Sequence, residues 1–210
     1  MADETPHIEP TWSATGSLRP EYFNSLYAAN SDPWAFASSP YEAAKYAATL
    51  AALPQARYSS ALELGCSIGV LTRQLAPRCA HLLATDIAEA ALSRARSRCA
   101  DLCQITFERR DFTTAFPPGR FDLIVVSEVG YYLSGLDLDQ LRSRIASAVT
   151  PGGHVVLVHY TGVTNYPLSA DAVHETFLAR ESRDWISVTA QRTESYRLDV
   201  LTRLDDQQVS

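Results

Sequence analysis

The sequence predicts an α/β protein with a doubly wound, seven-stranded, mostly parallel sheet that ends in a C-terminal antiparallel hairpin strand. After Pro54, short apolar runs alternate with amphipathic helical segments, which is the pattern of repeated βα units around a parallel sheet. Two β-branched or alternating runs near the end are joined by a short polar link, which is typical of a closing hairpin.

Three regions follow from composition. Residues 1–19 carry Pro, Ser, Thr and Gly with little periodicity, and we expect a flexible leader there. Residues 20–54 are predicted to form an N-terminal helical cap that acts as a lid, with helices at Pro20–Asn30 and Tyr41–Leu53 separated by the proline-containing segment DPWAFASSP. Residues 55–210 form the main domain.

The main domain is predicted from its periodicity. Strands are expected near Ser60–Leu64, His81–Thr85, Ile105–Arg109, Phe121–Ser127 and His154–His159. Helices are expected near Gly69–Ala76, Glu89–Cys99, Asp139–Val149 and Ala170–Arg180. The hairpin is placed at Trp185–Thr189 and Ser195–Leu204.

Composition excludes several classes of function. The 210 residues, 46% hydrophobic and 20% charged, fit one domain with a sizeable core. A net charge of -6 disfavours a nucleic-acid-binding surface, which needs clustered Lys and Arg. Residues 1–9 are polar and acidic, unlike a secretory signal or membrane span. The four cysteines lack the spacing of a zinc site. We expect a cytoplasmic protein without metal, membrane or nucleic-acid partners, with a homodimer left open.

The most specific local signal is ALELGCSIGVLTRQLA at residues 61–76, where an apolar run meets a turn with Gly65 and Gly69 and then a helix. Glycines let the backbone approach a ligand, and the helix start offers free N–H groups to an anion. A dinucleotide fingerprint needs glycines where Ser67 and Val70 stand, so a nicotinamide enzyme is disfavoured. A purely structural tight turn remains an alternative.

Two acidic residues follow the next two strands. Asp86 closes the second strand, 21 residues after Gly65, where a carboxylate can accept hydrogen bonds from ribose hydroxyls. Asp111 and Phe112 follow the third strand and are placed to contact an adenine ring. Helix capping is the alternative for Asp86, and a plain turn residue for Asp111. Together these strand ends predict a nucleoside site along the carboxyl edge of the sheet.

The chain resembles class I S-adenosylmethionine-dependent methyltransferases, which have a Rossmann-like fold, over about residues 20–204. ELGCSIG, the two acids, FDLIVVSEVGYYL and TPGGHVVLVH occur in family order. DPWAFASSPYE and VVSEVGYYL are most similar to the nodulation-protein S group, which N-methylates an amino sugar on a chitooligosaccharide. HYTGVTNYPLSADAVHETF instead resembles related bacterial methyltransferases that are sometimes fused to sugar deacetylases. The resemblance implies transfer of a methyl group from S-adenosylmethionine to a small molecule, with S-adenosylhomocysteine as product.

The resemblance also implies a set of cofactor-binding residues. Glu63, Gly65 and Gly69 would frame the methionine end of the cofactor, with Cys66 in the same turn. Asp86 and Ile87 would bind the ribose, Asp111 and Phe112 the adenine, and Ser127 and Glu128 would lie beneath the sulfonium.

His159 is the leading catalytic candidate, because it ends the fifth strand beside the cofactor and imidazole titrates near neutral pH. It would act as a base or orient the substrate, with a structural role as the alternative. Tyr131 is the second catalytic candidate. It and Tyr132 follow the fourth strand, and neighbouring side chains on a regular element cannot both point inward, so one is expected to face the methyl group while the other packs into the core. Candidates for substrate binding are Tyr27, Trp34, Tyr132, Tyr160, His174 and Arg180.

Two acceptor classes remain open at this stage. N-methylation of a small amine, such as an amino sugar, follows from the resemblance. O-methylation of a hydroxyl or an acidic oxygen (carboxylate, phosphate or phosphonate) in natural-product biosynthesis is the alternative, for which Arg180 or Arg183 could supply a cationic clamp. A cofactor-binding protein without catalysis is the third interpretation.

Overall fold

The computed structural model describes residues 8–179 and 184–204. The helices there are α1 (Pro20–Ala29), α2 (Pro40–Ala51), α3 (Val70–Leu75), α4 (Glu89–Arg98), α5 (Gly135–Ala148) and α6 (Ala170–Leu178). The strands are β1 (Tyr58–Leu64), β2 (Cys79–Asp86), β3 (Ile105–Arg109), β4 (Phe121–Ser127), β5 (Val149–Tyr160), β6 (Trp185–Arg192) and β7 (Tyr196–Arg203). Short 3-10 turns lie at Ala76–Arg78 and Gly130–Tyr132.

One sheet contains all seven strands in the order β3-β2-β1-β4-β5-β7-β6. The first five strands pair in parallel, and β7 runs antiparallel between β5 and β6. The strand order reverses between β1 and β4, which opens a crevice at their carboxyl ends where α/β proteins bind ligands. The predicted Rossmann-like fold class is confirmed.

The central strands are apolar on both faces, as a parallel sheet covered by helices on both sides requires. In β4, Ile124 and Val126 pack into the core on one side, while Leu123 and Val125 pack into the core on the other. All four side chains are at most 1% exposed. The sheet is therefore a rigid platform whose carboxyl edge carries the loops of the site.

Two elements begin earlier than the sequence predicts. Helix α5 begins at Gly135 instead of Asp139, because the Ser134 hydroxyl caps it by accepting a hydrogen bond from the Asp137 N–H at 3.2 Å. Strand β5 begins at Val149 instead of His154, because Val149 already pairs with Phe121 before the register shifts. Neither shift changes which strand ends meet at the site.

Residues 8–19, from the predicted leader, are docked on the start of α5. The Leu18 N–H donates to the Tyr132 carbonyl at 2.9 Å, and Leu18 is only 7% exposed. The Ser17 hydroxyl donates to Asp137 at 2.5 Å and accepts from the Ser134 N–H at 2.8 Å. These contacts do not fit a flexible segment over residues 8–19, and the proposed region boundaries themselves stay predictions.

The described ranges contain neither a membrane-spanning helix nor a metal-binding cluster. None of the helices in residues 8–179 and 184–204 is long and apolar enough to cross a bilayer. In the same residues, no group of three or more His, Cys, Asp or Glu side chains is arranged to hold a metal ion.

Candidate active site

A cleft lies along the carboxyl ends of the first four strands. Its lining bounds about 960 Å³ of space, a figure that includes the open mouth of the cleft. Nine of the ten predicted cofactor residues line it: Glu63, Gly65, Cys66, Asp86, Ile87, Asp111, Phe112, Ser127 and Glu128. The structure therefore brings the three predicted strand ends to one common cavity.

Gly65 adopts a conformation and a position that only glycine fits. Its φ is +75°, and a Cβ there would lie 2.2 Å from Cγ1 of Val129. Its N–H and that of Cys66 both donate to the Thr85 carbonyl, at 2.8 and 2.9 Å. This turn is thereby fastened to the end of β2 and leaves its own backbone facing the cleft.

Gly69 is the predicted cofactor residue that does not line the cleft. Its φ is +78°, and a Cβ there would lie 2.9 Å from Cα of Ala95 on α4. Gly69 thus allows α3 and α4 to pack closely. Its neighbours Ile68 and Val70 line the cleft, so the assignment of Gly69 to the methionine end stays a prediction beside this helix-packing role.

Asp86, at the end of β2, accepts hydrogen bonds from backbone N–H groups of the segments that follow β1 and β2. One carboxylate oxygen accepts from the Ser67 N–H at 2.8 Å, and the other accepts from the Ala88 N–H at 2.9 Å. Burial raises the pKa of Asp86, and these backbone donors oppose that rise. A carboxylate oxygen can accept a second hydrogen bond, so capacity for a ligand hydroxyl remains.

Asp111 is held by its own turn. Its Oδ1 accepts from the Thr113 N–H at 2.9 Å and from the Thr113 hydroxyl at 2.5 Å. The neighbouring Phe112 is partly buried against the core and lines the cleft. An acceptor beside an aromatic ring edge suits a flat nitrogen heterocycle.

Glu63 forms the floor of the cleft at the end of β1. Glu63 is 2% exposed, and its Oε2 has no hydrogen-bond partner among the residues that the structure describes. Burial raises the pKa of Glu63 to about 7. Buried polar atoms are nearly always paired, so this oxygen marks a place where a bound ligand would donate a hydrogen bond.

Glu128 belongs to a charge network that the sequence analysis missed. Its carboxylate accepts from Lys45 Nζ at 2.5 Å, from the Tyr160 N–H at 3.1 Å, and from the Tyr131 hydroxyl. Lys45 also donates to Glu42 at 2.9 Å and is 1% exposed. The available signal was the only lysine of an otherwise arginine-based chain, three residues after a glutamate on a helix.

Cap residues close the cleft from above. Of the predicted substrate residues, Tyr27, Trp34 and Tyr132 line it. The Tyr27 hydroxyl and the Ser67 hydroxyl lie 2.5 Å apart, which joins α1 to the turn after β1. Several further side chains line the cleft without having been predicted from the sequence, among them Leu18, Phe23, Tyr46 and Leu133.

His159 does not line the cleft. It is fully buried; its Nε2 accepts from the Gly130 N–H at 3.0 Å, and its Nδ1 lies 3.0 Å from His174 Nε2. Burial, His174 and Lys45 lower the pKa of His159 well below its usual value. The catalytic-base assignment is corrected, because both ring nitrogens are already occupied and neither reaches the cleft.

Four other predicted residues are also placed away from the cleft or outside the described chain. Tyr131 points its hydroxyl at Glu128 behind the cleft wall, so its catalytic assignment is corrected to support of that carboxylate. His174 is buried behind His159, and Tyr160 lies outside the cleft at 40% exposure. Arg180 lies outside the described residues.

Comparisons with known proteins agree with this geometry. The family model described as nodulation protein S (NodS) matches residues 24–152. Nodulation protein S of Rhizobium tropici is 36% identical over 129 residues, which cover 60% of this chain and 53% of that protein. Nodulation protein S of Bradyrhizobium diazoefficiens is 35% identical over 120 residues, which cover 57% and 56%. The chain thus spans about half the length of the curated relatives it matches.

A solved structure matches more of the fold. The crystal structure of the N-methyltransferase NodS from Bradyrhizobium japonicum WM9 in complex with S-adenosyl-L-homocysteine superposes with a TM-score of 0.78 at 25% identity. The match covers 89% of this chain and 99% of that one. With the family model spanning residues 24–152 and the fold shared almost end to end, the chain belongs to the nodulation protein S family.

Proposed function

We propose that this chain is an S-adenosylmethionine-dependent methyltransferase whose acceptor is the amine nitrogen of a small molecule. Family membership and the shared fold support the methyltransferase activity. The name of the matched crystal structure, an N-methyltransferase with S-adenosyl-L-homocysteine bound, supports the cofactor. An amino sugar is the preferred acceptor, because the sequence resembles the group that methylates one.

The residues at the ends of the strands would each hold a different part of the cofactor. Asp111 and Phe112 would meet the adenine, and Asp86 the ribose hydroxyls. Glu63, with one unpartnered oxygen, and the backbone at Gly65 would hold the methionine part. The cofactor would supply an activated methyl group, and the family resemblance implies that Ser127 and Glu128 would lie beneath its sulfonium.

The negative charge of the cleft lining favours an amine as the methyl acceptor. Among the described lining residues, four are carboxylates, at Glu63, Asp86, Asp111 and Glu128, and none is Lys or Arg. The neighbouring Lys45 is already paired with two carboxylates, so it offers no free charge to an anion. Glu63, Asp86 and Asp111 would face the cofactor, so Glu128 is the carboxylate left for the acceptor. An ammonium would meet this carboxylate, whereas an anionic oxygen would meet no Lys or Arg among the described lining residues.

The chain's contribution to methyl transfer is to position and desolvate the acceptor. The reaction forms a nitrogen–carbon bond as the carbon–sulfur bond breaks, so the lone pair must align behind the methyl carbon. Tyr132 and the cap aromatics Tyr27 and Trp34 would exclude water and orient the acceptor. Glu128 lines the cleft and would lie beside the acceptor nitrogen, where its carboxylate would accept the proton that an ammonium must lose before its lone pair can attack.

The alternative O-methyltransferase receives less support. A carboxylate, phosphate or phosphonate acceptor needs cationic donors, and its two candidates, Arg180 and Arg183, lie outside the described residues. The cytoplasmic location and the homodimer stay predictions.

The test compares two acceptors that differ at one nitrogen. The chain is incubated with methyl-labelled S-adenosylmethionine and with chitotetraose, either carrying one free amine or fully N-acetylated. We expect label only on the free-amine sugar, and calorimetry should detect S-adenosylhomocysteine binding. Binding without labelling of any amine in a wider panel would reject the acceptor class, and no binding would reject the methyltransferase itself.

A further inference from the structure

A buried chain of three side chains runs from β7 to the turn at Gly130–Tyr132. His174 Nδ1 lies 2.5 Å from Asp199 Oδ2, His174 Nε2 lies 3.0 Å from His159 Nδ1, and the Gly130 N–H donates to His159 Nε2 at 3.0 Å. Asp199 is 1% exposed and both histidines are fully buried. None of the three side chains lines the cleft, so the proposed methyl transfer does not use them directly.

The hydrogen bonds allow only one arrangement of protons for two neutral rings. Because the Gly130 N–H donates to His159 Nε2, that nitrogen must carry a lone pair, and the ring proton sits on Nδ1. His159 Nδ1–H therefore donates to His174 Nε2, which leaves the second ring proton on His174 Nδ1, facing Asp199. The Asp199 carboxylate is in turn held by Arg197 Nε at 2.9 Å.

A third proton cannot enter without breaking a bond. If His159 gained a proton on Nε2, two donors would face each other at Gly130. If His174 gained one on Nε2, His159 would have to move its own proton to Nε2, with the same result. The hydrogen-bonded chain of His159, His174 and Asp199 is therefore intact only while its two imidazole rings carry two protons in total.

The Gly130–Tyr132 turn, which this hydrogen-bonded chain holds in place, forms part of the cleft wall. Val129 and Tyr132 line the cleft, and the Tyr131 hydroxyl donates to Glu128, which also lines it. The turn fits closely: a Cβ on Gly130 would lie 2.9 Å from His159 Nε2 and 2.5 Å from Val173 Cγ1. A shift of the His159 ring is thus transmitted to the residues proposed to face the acceptor.

The surroundings of His159 favour its neutral form. The titratable and charged groups that face it or its chain come from every packed element: His174 on α6, Asp199 and Arg197 on β7, Tyr131 on the turn, Glu128 after β4, and Lys45 on α2. Burial is the largest effect, and His174 and Lys45 add to it in lowering the pKa of His159.

We propose that His159 is a positioning residue, fixed by His174 and Asp199 as the Nδ1–H tautomer so that its Nε2 holds the Gly130–Tyr132 turn against the acceptor side of the cleft. The expected effect on turnover rests on the proposed function. The tautomer of His159 and its hydrogen bond to the Gly130 N–H do not depend on that function. The proposal predicts that any group accepting the Gly130 N–H at this place keeps the enzyme working, and that an imidazole is not needed.

The first measurement needs no acceptor. Long-range proton–nitrogen NMR of the imidazole rings in the full chain reports the tautomer of each histidine, and hydrogen exchange reports the Gly130 amide. We expect His159 to be neutral with its proton on Nδ1 between about pH 5.5 and about pH 8, with a slowly exchanging Gly130 amide. A proton on Nε2, or titration near the ordinary histidine value, would overturn the proposal.

The second measurement compares His159→Gln with His159→Leu. The Gln amide oxygen can reach the place of Nε2 and accept the Gly130 N–H, whereas Leu cannot. We expect kcat to fall on the order of ten- to a hundredfold in the Leu variant and less than about threefold in the Gln variant, with the affinity for S-adenosylhomocysteine within about twofold in both. The wild-type loss of kcat at acidic pH should be weaker in the Gln variant.

The outcomes separate this proposal from its rivals. Equal inactivity of both variants means that the imidazole itself is required, and equal full activity means that the turn needs no such support; either result overturns the proposal. His154→Leu, which removes the other buried histidine of β5, five residues earlier on the strand, controls for general loss of stability and should leave kcat and its pH profile unchanged. If wild type fails to bind S-adenosylhomocysteine, the proposed function falls while the tautomer result still stands.

Discussion

Lys45 Nζ lies 2.5 Å from Glu128 Oε1, and this contact joins the second cap helix to the end of β4 across 83 residues of sequence. The lysine is 1% exposed, and it also lies 5.0 Å from the centre of the Tyr41 ring. A buried cation between two carboxylates fixes the cap helix α2 beside Glu128, which lines the cleft. The ion pair therefore ties the cap helix α2 to the sheet.

Removal of this cation should destabilise the fold strongly. In Lys45→Met, Glu42 and Glu128 remain buried without their partner, and we expect a loss of about 3 to 5 kcal/mol in the free energy of unfolding, measured in urea. Adding Glu128→Gln to this variant should recover part of the loss. Arg96→Met, which breaks an exposed pair with Glu89, is the control and should change little. Equal losses in the two single variants would contradict the prediction.

Removal of the Asp86 carboxylate should weaken cofactor binding. In Asp86→Ala, the Ser67 and Ala88 N–H groups lose their acceptor and the ribose hydroxyls lose theirs. A hydrogen bond to a charged group is worth about 1.5 to 3 kcal/mol, so the Kd for S-adenosylhomocysteine should rise roughly ten- to a hundredfold in calorimetry. Asp101→Ala, in an exposed pair with Arg73, is the matched control. Unchanged affinity in Asp86→Ala would remove the ribose assignment.

A pair of glycine variants should separate backbone strain from close approach. Gly65 and Gly152 both have positive φ, at +75° and +72°, so alanine costs each about 1 to 2 kcal/mol in backbone strain. Only the alanine at Gly65 also meets Val129, whereas nothing lies within 4 Å of the new Cβ at Gly152. We expect Gly65→Ala to lower the unfolding midpoint in urea clearly more than Gly152→Ala does. Similar midpoints would mean that the turn moves away freely.

Sequence periodicity predicted the elements and the strand ends because both are local properties. Asp86 ends β2 and Asp111 follows β3 after Arg110, and parallel strands bring their carboxyl ends to one edge. The sequence therefore sufficed to find the cleft and nine of the ten residues expected to hold the cofactor. It also placed His159 near the end of β5, which the structure ends at Tyr160.

Contacts between distant elements could not be predicted in the same way. The role of His159 depends on His174 from α6 and Asp199 from β7, and no local pattern states that these elements meet behind the strand. The same holds for Lys45 and Glu128, whose partnership needs the cap docked on the sheet. A pattern fixes which residues face one side of an element, whereas tertiary packing decides what they meet there.

The neutral His159 should leave a signature in the pH dependence of stability. Its pKa is lowered in the folded chain, so below about pH 6.5 the unfolded chain binds a proton that the folded chain does not. Stability from this group is thus present above about pH 6.5 and falls with acidification, by about 1.4 kcal/mol per pH unit, until the folded pKa is reached.

The matched comparison is with His159→Gln, which cannot titrate. Glu63 acts in the opposite direction, because its pKa is raised to about 7 and the folded chain binds a proton there before the unfolded chain does. This contribution is common to both proteins and cancels in the difference. Urea unfolding from about pH 5 to about pH 8 should therefore give a stability difference, wild type minus variant, that is constant above about pH 6.5 and decreases below it. A difference that stays constant throughout would mean that His159 titrates normally in the folded chain, since only a perturbed group links folding to protons in this range.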